Sequence, residues 1–514
     1  MPNVTIAAGS QIAADAGAKI ANQGGNAVDA ALAAATVSMC TDLGVMAPGA
    51  SGFVAIWPST QSPVVIDAYA DVPGRGLPSA QLGQGAQDVI FDYGGPTRSV
   101  IGHGAVATPG IFAGLGMASQ HYGALPWRSL LAPAIEWTEQ GFPLTGGAAE
   151  YLRYTHKEIF SWHPQSYRTL HHSDGSPLQA GEMVQIPELA NSLRLIADRG
   201  FSAFYTGEIG QRIAAEVQAN NGLLTAEDLA TYRAIARSPL RLQFGEWDIA
   251  TNPPPAIGGA CLAAMLLLLD QRSLDPWDSA SVQQLIEIQQ AVLGYRSHHL
   301  KRTSDLSQAV AELLGLARLD ELHSLVKSPS TIHVSAVDTD GLACAVSASA
   351  GYGSGVMVEG TGLWLNNSLG EIELHPHGVE DLSPGTRLSS NMAPTLAKRA
   401  DGAVLAIGSP GASRITTAIV QVLLHFIQRG LPLSEAITSP RLHVEVGEET
   451  SRISFEPDLP ISPRSGFSLK PFSAPSMYFG GVQAALWEPK SGLSAAADPR
   501  RAGAVAEGGT SADS

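Results

Sequence analysis

Residues 330–338 read Ser330-Thr331-Ile332-His333-Val334-Ser335-Ala336-Val337-Asp338. Thr331, His333, Ser335 and Val337 fall on one face, and Ile332, Val334, Ala336 and Asp338 on the other. That two-residue period predicts a β-strand. Asp340-Gly341 supplies a tight turn, and Leu342 to Ser349 predicts the returning strand of a hairpin. An alternating hairpin by itself is an ordinary piece of an α/β core.

Its company gives it chemical meaning. Downstream stand Gly353-Ser354-Gly355, Gly362-Leu363-Trp364-Leu365-Asn366-Asn367, Leu388-Ser389-Ser390 and Gly408-Ser409-Pro410-Gly411-Ala412-Ser413-Arg414. This order resembles the small subunit of the γ-glutamyltransferase (γ-glutamyltranspeptidase) family of N-terminal-nucleophile hydrolases. That family carries a Thr-x-His strand, a Gly-Ser/Thr-Gly turn, Asn-Asn and Ser-Ser pairs and a Gly-Ser-Pro-Gly-Gly-Ser-Arg loop. Each piece is weak alone; their order within about a hundred residues is specific. Upstream, Gly24-Gly25-Asn26-Ala27-Val28-Asp29, Ala107-Thr108-Pro109-Gly110, Phe204-Tyr205-Thr206-Gly207-Glu208 and Gly222-Leu223-Leu224-Thr225 through Asp228 extend the resemblance over about residues 5 to 500.

The chain has 514 residues and 45% hydrophobic content, enough for a sizeable core. A net charge of −16 without a dense Lys/Arg run argues against nucleic acid. The greasiest run, Cys261 to Leu269, is too short to span a bilayer, so no membrane partner is expected. The N-terminus lacks the pattern of a secretory signal, from which a cytoplasmic location is expected. Cys40, Cys261 and Cys344 follow no metal or redox spacing and read as buried apolar residues.

Periodicity predicts helices over Ala7–Ala21 and Asn26–Met39, the second capped by Asn26. A hairpin is predicted over Val54–Tyr69, a helix over Val282–His299, and short helices over Thr303–Leu325. Tyr151–Glu182 is polar and poorly patterned; His156, His163, His171 and His172 within it fit no helical ligand pair. His375-Pro376-His377 with Glu371 and Glu373 lacks a second ligand set. No metal and no cofactor are therefore expected. Residues 495–514 are small, polar and Gly-rich and predict a frayed, disordered tail.

The resemblance implies an α+β fold, the four-layer αββα sandwich of N-terminal-nucleophile hydrolases. It further implies cleavage between Ser330 and Thr331, giving a large subunit 1–330 and a small subunit 331–514. The two remain an interlocked heterodimer, and further oligomerisation is left open. Cleavage would place an α-amine, of unperturbed pKa about 8, beside the Thr331 hydroxyl as its base. By motif position, Gly411 and Ala412 correspond to the two glycines whose amides hold the oxyanion, and Ser349 to a threonine supporting the nucleophile. Ser389 and Ser390 correspond to the pair that contacts a substrate α-carboxylate, and Glu371 to the acid that binds the α-amino group.

Departures fall on the binding half. Tyr69, in Asp67-Ala68-Tyr69-Ala70-Asp71-Val72-Pro73, stands where most members carry a carboxylate-gripping arginine, with Arg75 nearby as a substitute. Ala412 replaces a glycine, Gly351 an asparagine, and Ser368 a glutamine or glutamate. The span from Asn367 to Ser389 is shorter than in members with a lid loop, which implies a more open pocket. The expected activity is a self-processing threonine amidohydrolase or acyltransferase acting on a small-molecule amide, glutathione or another γ-glutamyl-like donor. The alternatives are a cephalosporin-acylase-like or oxamate-amidohydrolase-like enzyme, a secondary-metabolism relative, or a catalytically silent binding protein on the same scaffold. No Walker A, His-Glu-x-x-His or Gly-x-Ser-x-Gly motif points to another chemistry.

Overall fold

A computed structural model describes residues 2–509 apart from 79–83, 93–95, 301, 302, 304, 320–330, 373, 375–381, 448, 449 and 463–466. Ser330, and Glu373, His375 and His377 of the second histidine group, lie outside the described residues.

Two antiparallel sheets form the centre. The seven-stranded sheet runs in the order Ala504–Gly508, Val4–Ala8, Ile332–Asp338, Ala343–Ser349, Ser51–Trp57, Val64–Ala68, Ile235–Arg237. The six-stranded sheet runs Gly492–Ala497, Gln483–Glu488, Val404–Gly408, Thr395–Arg399, Trp247–Thr251, Leu240–Phe244. The predicted hairpin is present: Ile332 pairs with Ala348 and Val337 with Ala343. Asp338 shapes its turn, one carboxylate oxygen accepting from the Asp340 and Leu342 amides and the other from the amide of Ala27.

The strand's two faces divide as its period requires. Val334 and Ala336 pack with Val28, Leu32 and Ala35 of the helix Ala27–Thr41, every residue of which is buried. Val337 faces the other sheet, in one cluster with Leu405, Ile407 and Ala484. Helices Gln11–Asn22 and Ala27–Thr41 cover the seven-stranded sheet, while Gly258–Asp270 and Arg414–Leu423 pack together beside the six-stranded one. The architecture is the expected αββα sandwich. Asn26 caps its helix with a reciprocal bond to Asp29, as the sequence predicts.

The ends of the chain depart from expectation. Val4–Ala8 is a strand, and the first helix begins only at Gln11. The expected tail is not frayed from residue 495: Gly492–Ala497 and Ala504–Gly508 are strands, the latter paired with Val4–Ala8 from Val4↔Gly508 to Ala8↔Ala504. Small residues fit there because the close-packed helix Gln11–Asn22 runs alongside: a Cβ on Gly508 would stand 2.4 Å from the carbonyl of Ala18. Composition suggested disorder where close packing operates. The polar stretch after Tyr151 also folds, into helices Gly146–Thr155 and Pro164–Leu170. Among the described residues of that stretch, one helix, Leu306–Leu319, stands where short ones were expected. Among the described residues no helix is long and apolar enough to cross a membrane.

Candidate active site

Thr331 enters the central sheet at one end of the sandwich and is buried. Continuing the hairpin register by one step sets it opposite Ser349, and both side chains line one cavity. Tyr69, Glu371, Leu374, Ser390, Asn391 and Met392 complete that cavity. Thr331 also lines a second cavity, with Asp42, Gln483 and Arg501 among its walls. The residue singled out from sequence therefore lines two spaces.

His333, on the same face as Thr331, looks at first like a general base. The structure gives it a different role. Its Nδ1 is 2.7 Å from Ser347 Oγ and its Nε2 2.9 Å from Ser335 Oγ, and the Ser335 hydroxyl donates onward to the carbonyl of Gln483 in the facing sheet. The ring packs on Gly408, where a Cβ would stand 2.2 Å from Cε1. Burial pushes the imidazole down to about 3, so it stays neutral. His333 braces the sheets against each other, and both its nitrogens are engaged.

The binding wall is assembled from distant segments. Tyr69 stacks on Phe53, 5.5 Å between centroids, in the inter-sheet core. Burial and the neighbouring Glu371 carboxylate push its phenol well above the ordinary range, and the hydroxyl lies beside Ser390 and Glu371. Tyr69, Glu371 and Ser390, predicted separately, thus meet. The Ser390 carbonyl accepts from the amides of Ile257 and Gly258, which fixes it at the start of the helix Gly258–Asp270.

The Asn-Asn pair anchors the segment that leads to Glu371. Asn366 Oδ1 accepts from the amides of Ala107 and Ser368, and its Nδ2 donates to the carbonyls of Gly49 and Ala107. Asn367 Oδ1 accepts from the Tyr352 amide, and its Nδ2 donates to Ser99 Oγ and the Val100 carbonyl. Gly351 lies at φ +66, where a Cβ would stand 2.1 Å from Asn367 Oδ1 and 3.2 Å from Glu371 Oε1. The asparagine that the sequence comparison implied at position 351 does not fit this arrangement without movement.

The other expected residues fall outside the lining. Ser389 is half-buried and does not line the cavity with Ser390. Gly411 and Ala412 lie in the loop before the helix Arg414–Leu423, at φ +121 and +69; their neighbour Pro410 lines the second cavity with Thr331. Ala412 is one of few non-glycine residues in the left-handed region. Its backbone keeps the conformation that a glycine would adopt without strain.

The arginines near Tyr69 have carboxylate partners. Arg75 stands 3.7 Å from Asp228 and packs over Gly385, so it does not take the place of an arginine at 69. Arg387, which sequence reasoning missed, donates to Asp67 at 2.6 Å and Asp71 at 2.5 Å, and Arg237 donates to Asp67 at 2.7 Å. Among the described residues lining the cavity, Glu371 is the charged side chain, and none is an arginine or lysine.

A family model for gamma-glutamyltranspeptidase matches residues 13–508. The chain is similar to the glutathione hydrolase proenzyme of Pseudomonas aeruginosa, 30% identical over 97% of this chain and 93% of that protein. It is similar to the acylase ACY 1 proenzyme of Pseudomonas sp. strain SE83, 30% identical over 85% of this chain and 81% of that one. Among solved structures, the cephalosporin acylase of Bacillus halodurans superposes with a TM-score of 0.80 at 25% identity, covering 98% of this chain and 96% of that chain.

Proposed function

The chain belongs to the gamma-glutamyltranspeptidase family, and from that premise we propose that Thr331, made N-terminal by cleavage after Ser330, is the nucleophile of an amide hydrolase or acyltransferase whose preferred acyl group lacks a γ-glutamyl α-carboxylate. An enzyme of this family moves an acyl group from an amide, and the residues around Thr331 suit that chemistry. The Thr331 hydroxyl attacks the amide carbonyl while the freed α-amine takes its proton and passes it to the departing amine. Backbone amides of the Gly411-Ala412 loop hold the oxyanion, and water or a second amine then releases the acyl group. Two facts favour the α-amine over His333 as base: the imidazole's low basicity, its pKa pushed down to about 3 by burial, and its two engaged nitrogens.

One observation carries the substrate preference: the cavity beside Thr331 is walled by Tyr69, Ser390 and Glu371 with no cation among its described lining. A γ-glutamyl α-carboxylate placed there would find neutral donors and a like-charged neighbour. A charge-assisted bond contributes roughly 1.5–3 kcal/mol against about 1 for a neutral one, so losing the arginine lowers selectivity for that carboxylate on the order of tenfold. The retention of Glu371, a carboxylate suited to a substrate ammonium, favours the second reading: a γ-glutamyl donor held mainly by its amino group. Hydrolysis of glutathione beside glutaryl and oxalyl amides separates the two. The proposal expects kcat/KM for an amide without the α-carboxylate to exceed that for glutathione; glutathione as the better substrate would overturn it.

A further inference from the structure

The His-rich stretch after Tyr151 sends one imidazole away from its sequence neighbours. His163, just before the helix Pro164–Leu170, meets His103 in the one-turn helix His103–Ala105 and Glu216 on the helix Glu208–Ala219. One ligand atom from each lies within 4.8 Å of the other two. His103 Nε2 is 3.1 Å from Glu216 Oε1, and His163 Nε2 is 3.9 Å from the same oxygen. We propose that His103, His163 and Glu216 form a binding site for a divalent transition-metal ion, zinc by its donor set, which clamps three separate segments of the N-terminal half.

Two nitrogens and one carboxylate oxygen are a common zinc donor set, with a water in the fourth position. Bonds of about 2.0–2.1 Å in a tetrahedral site put ligand atoms about 3.3 Å apart. The His103–Glu216 distance is close to that, and the His163 distance needs a shift of about half an ångström. Both histidines are buried, and a metal takes each as the neutral imidazole. The Glu216 side chain is 22% exposed, which leaves a path for ion and water.

Hydrogen bonding alone leaves this cluster incomplete. Glu216 Oε1 meets His103 at 3.1 Å and the Asn220 amide at 3.3 Å. His163 Nε2 lies 3.9 Å from that oxygen, beyond hydrogen-bond reach, and an ion between the two would hold the ring through Nε2. The nearby His156–His171 contact, 3.1 Å between ring nitrogens, brings only two ligands. The clamp would act close to the catalytic half: Gly102 donates to the Ser354 carbonyl, and Trp162, edge-on to both site histidines, packs where a Cβ on Gly355 would stand 2.5 Å from its Nε1.

The test uses the full chain, stripped with chelator and titrated with Zn²⁺ by calorimetry, with thermal melts alongside. One equivalent should bind and raise the Tm. His163→Gln and Glu216→Gln should each weaken binding more than about tenfold, at least what loss of an outer-shell partner does at such sites. His172→Gln, whose ring pairs with Glu182 at the surface, should leave it unchanged. Cobalt substitution of the wild type gives a readout independent of the variants' folding: intense visible bands of a four-coordinate ion are expected. No stoichiometric binding, binding undiminished by both substitutions, or the faint spectrum of a six-coordinate ion would overturn the proposal.

Discussion

The hairpin that carries Thr331 and the wall that faces it are built on opposite plans. The hairpin is local: Ile332–Asp338 and Ala343–Ser349 are joined by a short turn, buried throughout, and buffered by hydroxyls around His333. The wall is remote: Tyr69, Glu371 and Ser390 come from segments about three hundred residues apart and are held by Asn366, Asn367 and an Asp67–Arg387–Asp71 ion-pair cluster. Catalytic machinery placed on a rigid strand tolerates change in a wall made of loops. That division fits the proposed reading, in which the reacting end of the family is kept while Tyr69, Gly351 and Ser368 alter the binding end.

The contrast breaks most sharply at the nucleophile. Thr331→Ala should fold yet stay uncleaved, with activity down on the order of a thousandfold or more, whereas Thr331→Ser, which keeps a hydroxyl, should retain partial processing; gel mobility and turnover check both. A Thr331→Ala protein that still cleaves and turns over would assign the chemistry to another residue.

His333 separates bracing from catalysis. Its pKa is about 3 in the folded protein against about 6.5 unfolded, so the unfolded chain binds the extra proton between those values. Stability from this group is therefore complete above about 6.5 and falls as the pH drops towards 3. His425, also lowered to about 3, acts in the same sense; Asp42 and Asp338, raised to about 6, act in the opposite one. Denaturant melts of His333→Asn should lose less stability between pH 7 and pH 4 than wild type, by on the order of 3 kcal/mol. An unchanged acid slope would contradict the buried, neutral imidazole.

On the wall, Asn367→Ala removes bonds to Tyr352, Ser99 and Val100. It should cost about 2 kcal/mol of stability and raise KM more than it lowers kcat. Tyr69→Arg should improve glutathione relative to a glutaryl amide by about tenfold, read as a ratio of kcat/KM values. The smallest effect belongs to Ala412, at φ +69. Ala412→Gly should gain about 1 kcal/mol in unfolding experiments, with the oxyanion amide unchanged; a loss of stability would mean the methyl group packs usefully.

Legibility in the sequence followed the same divide. The hairpin and the Asn26 cap were plain, because each rests on neighbours a few residues apart. Tyr69, Glu371 and Ser390 were legible only by motif resemblance, since no local pattern brings them together. Arg387 was not legible: its role depends on Asp67 and Asp71, more than three hundred residues away. The strand Ala504–Gly508 escaped because glycine and alanine, which read as disorder, are what the close approach of the helix Gln11–Asn22 demands.

The central claim is that the Thr331 hydroxyl works beside its own free α-amine. Intact-mass analysis of the purified protein with N-terminal sequencing of the smaller fragment tests it directly. The account predicts two chains in one particle, the smaller beginning Thr-Ile-His-Val. A single uncleaved chain that hydrolyses amides, or a fragment with a different first residue, would contradict it.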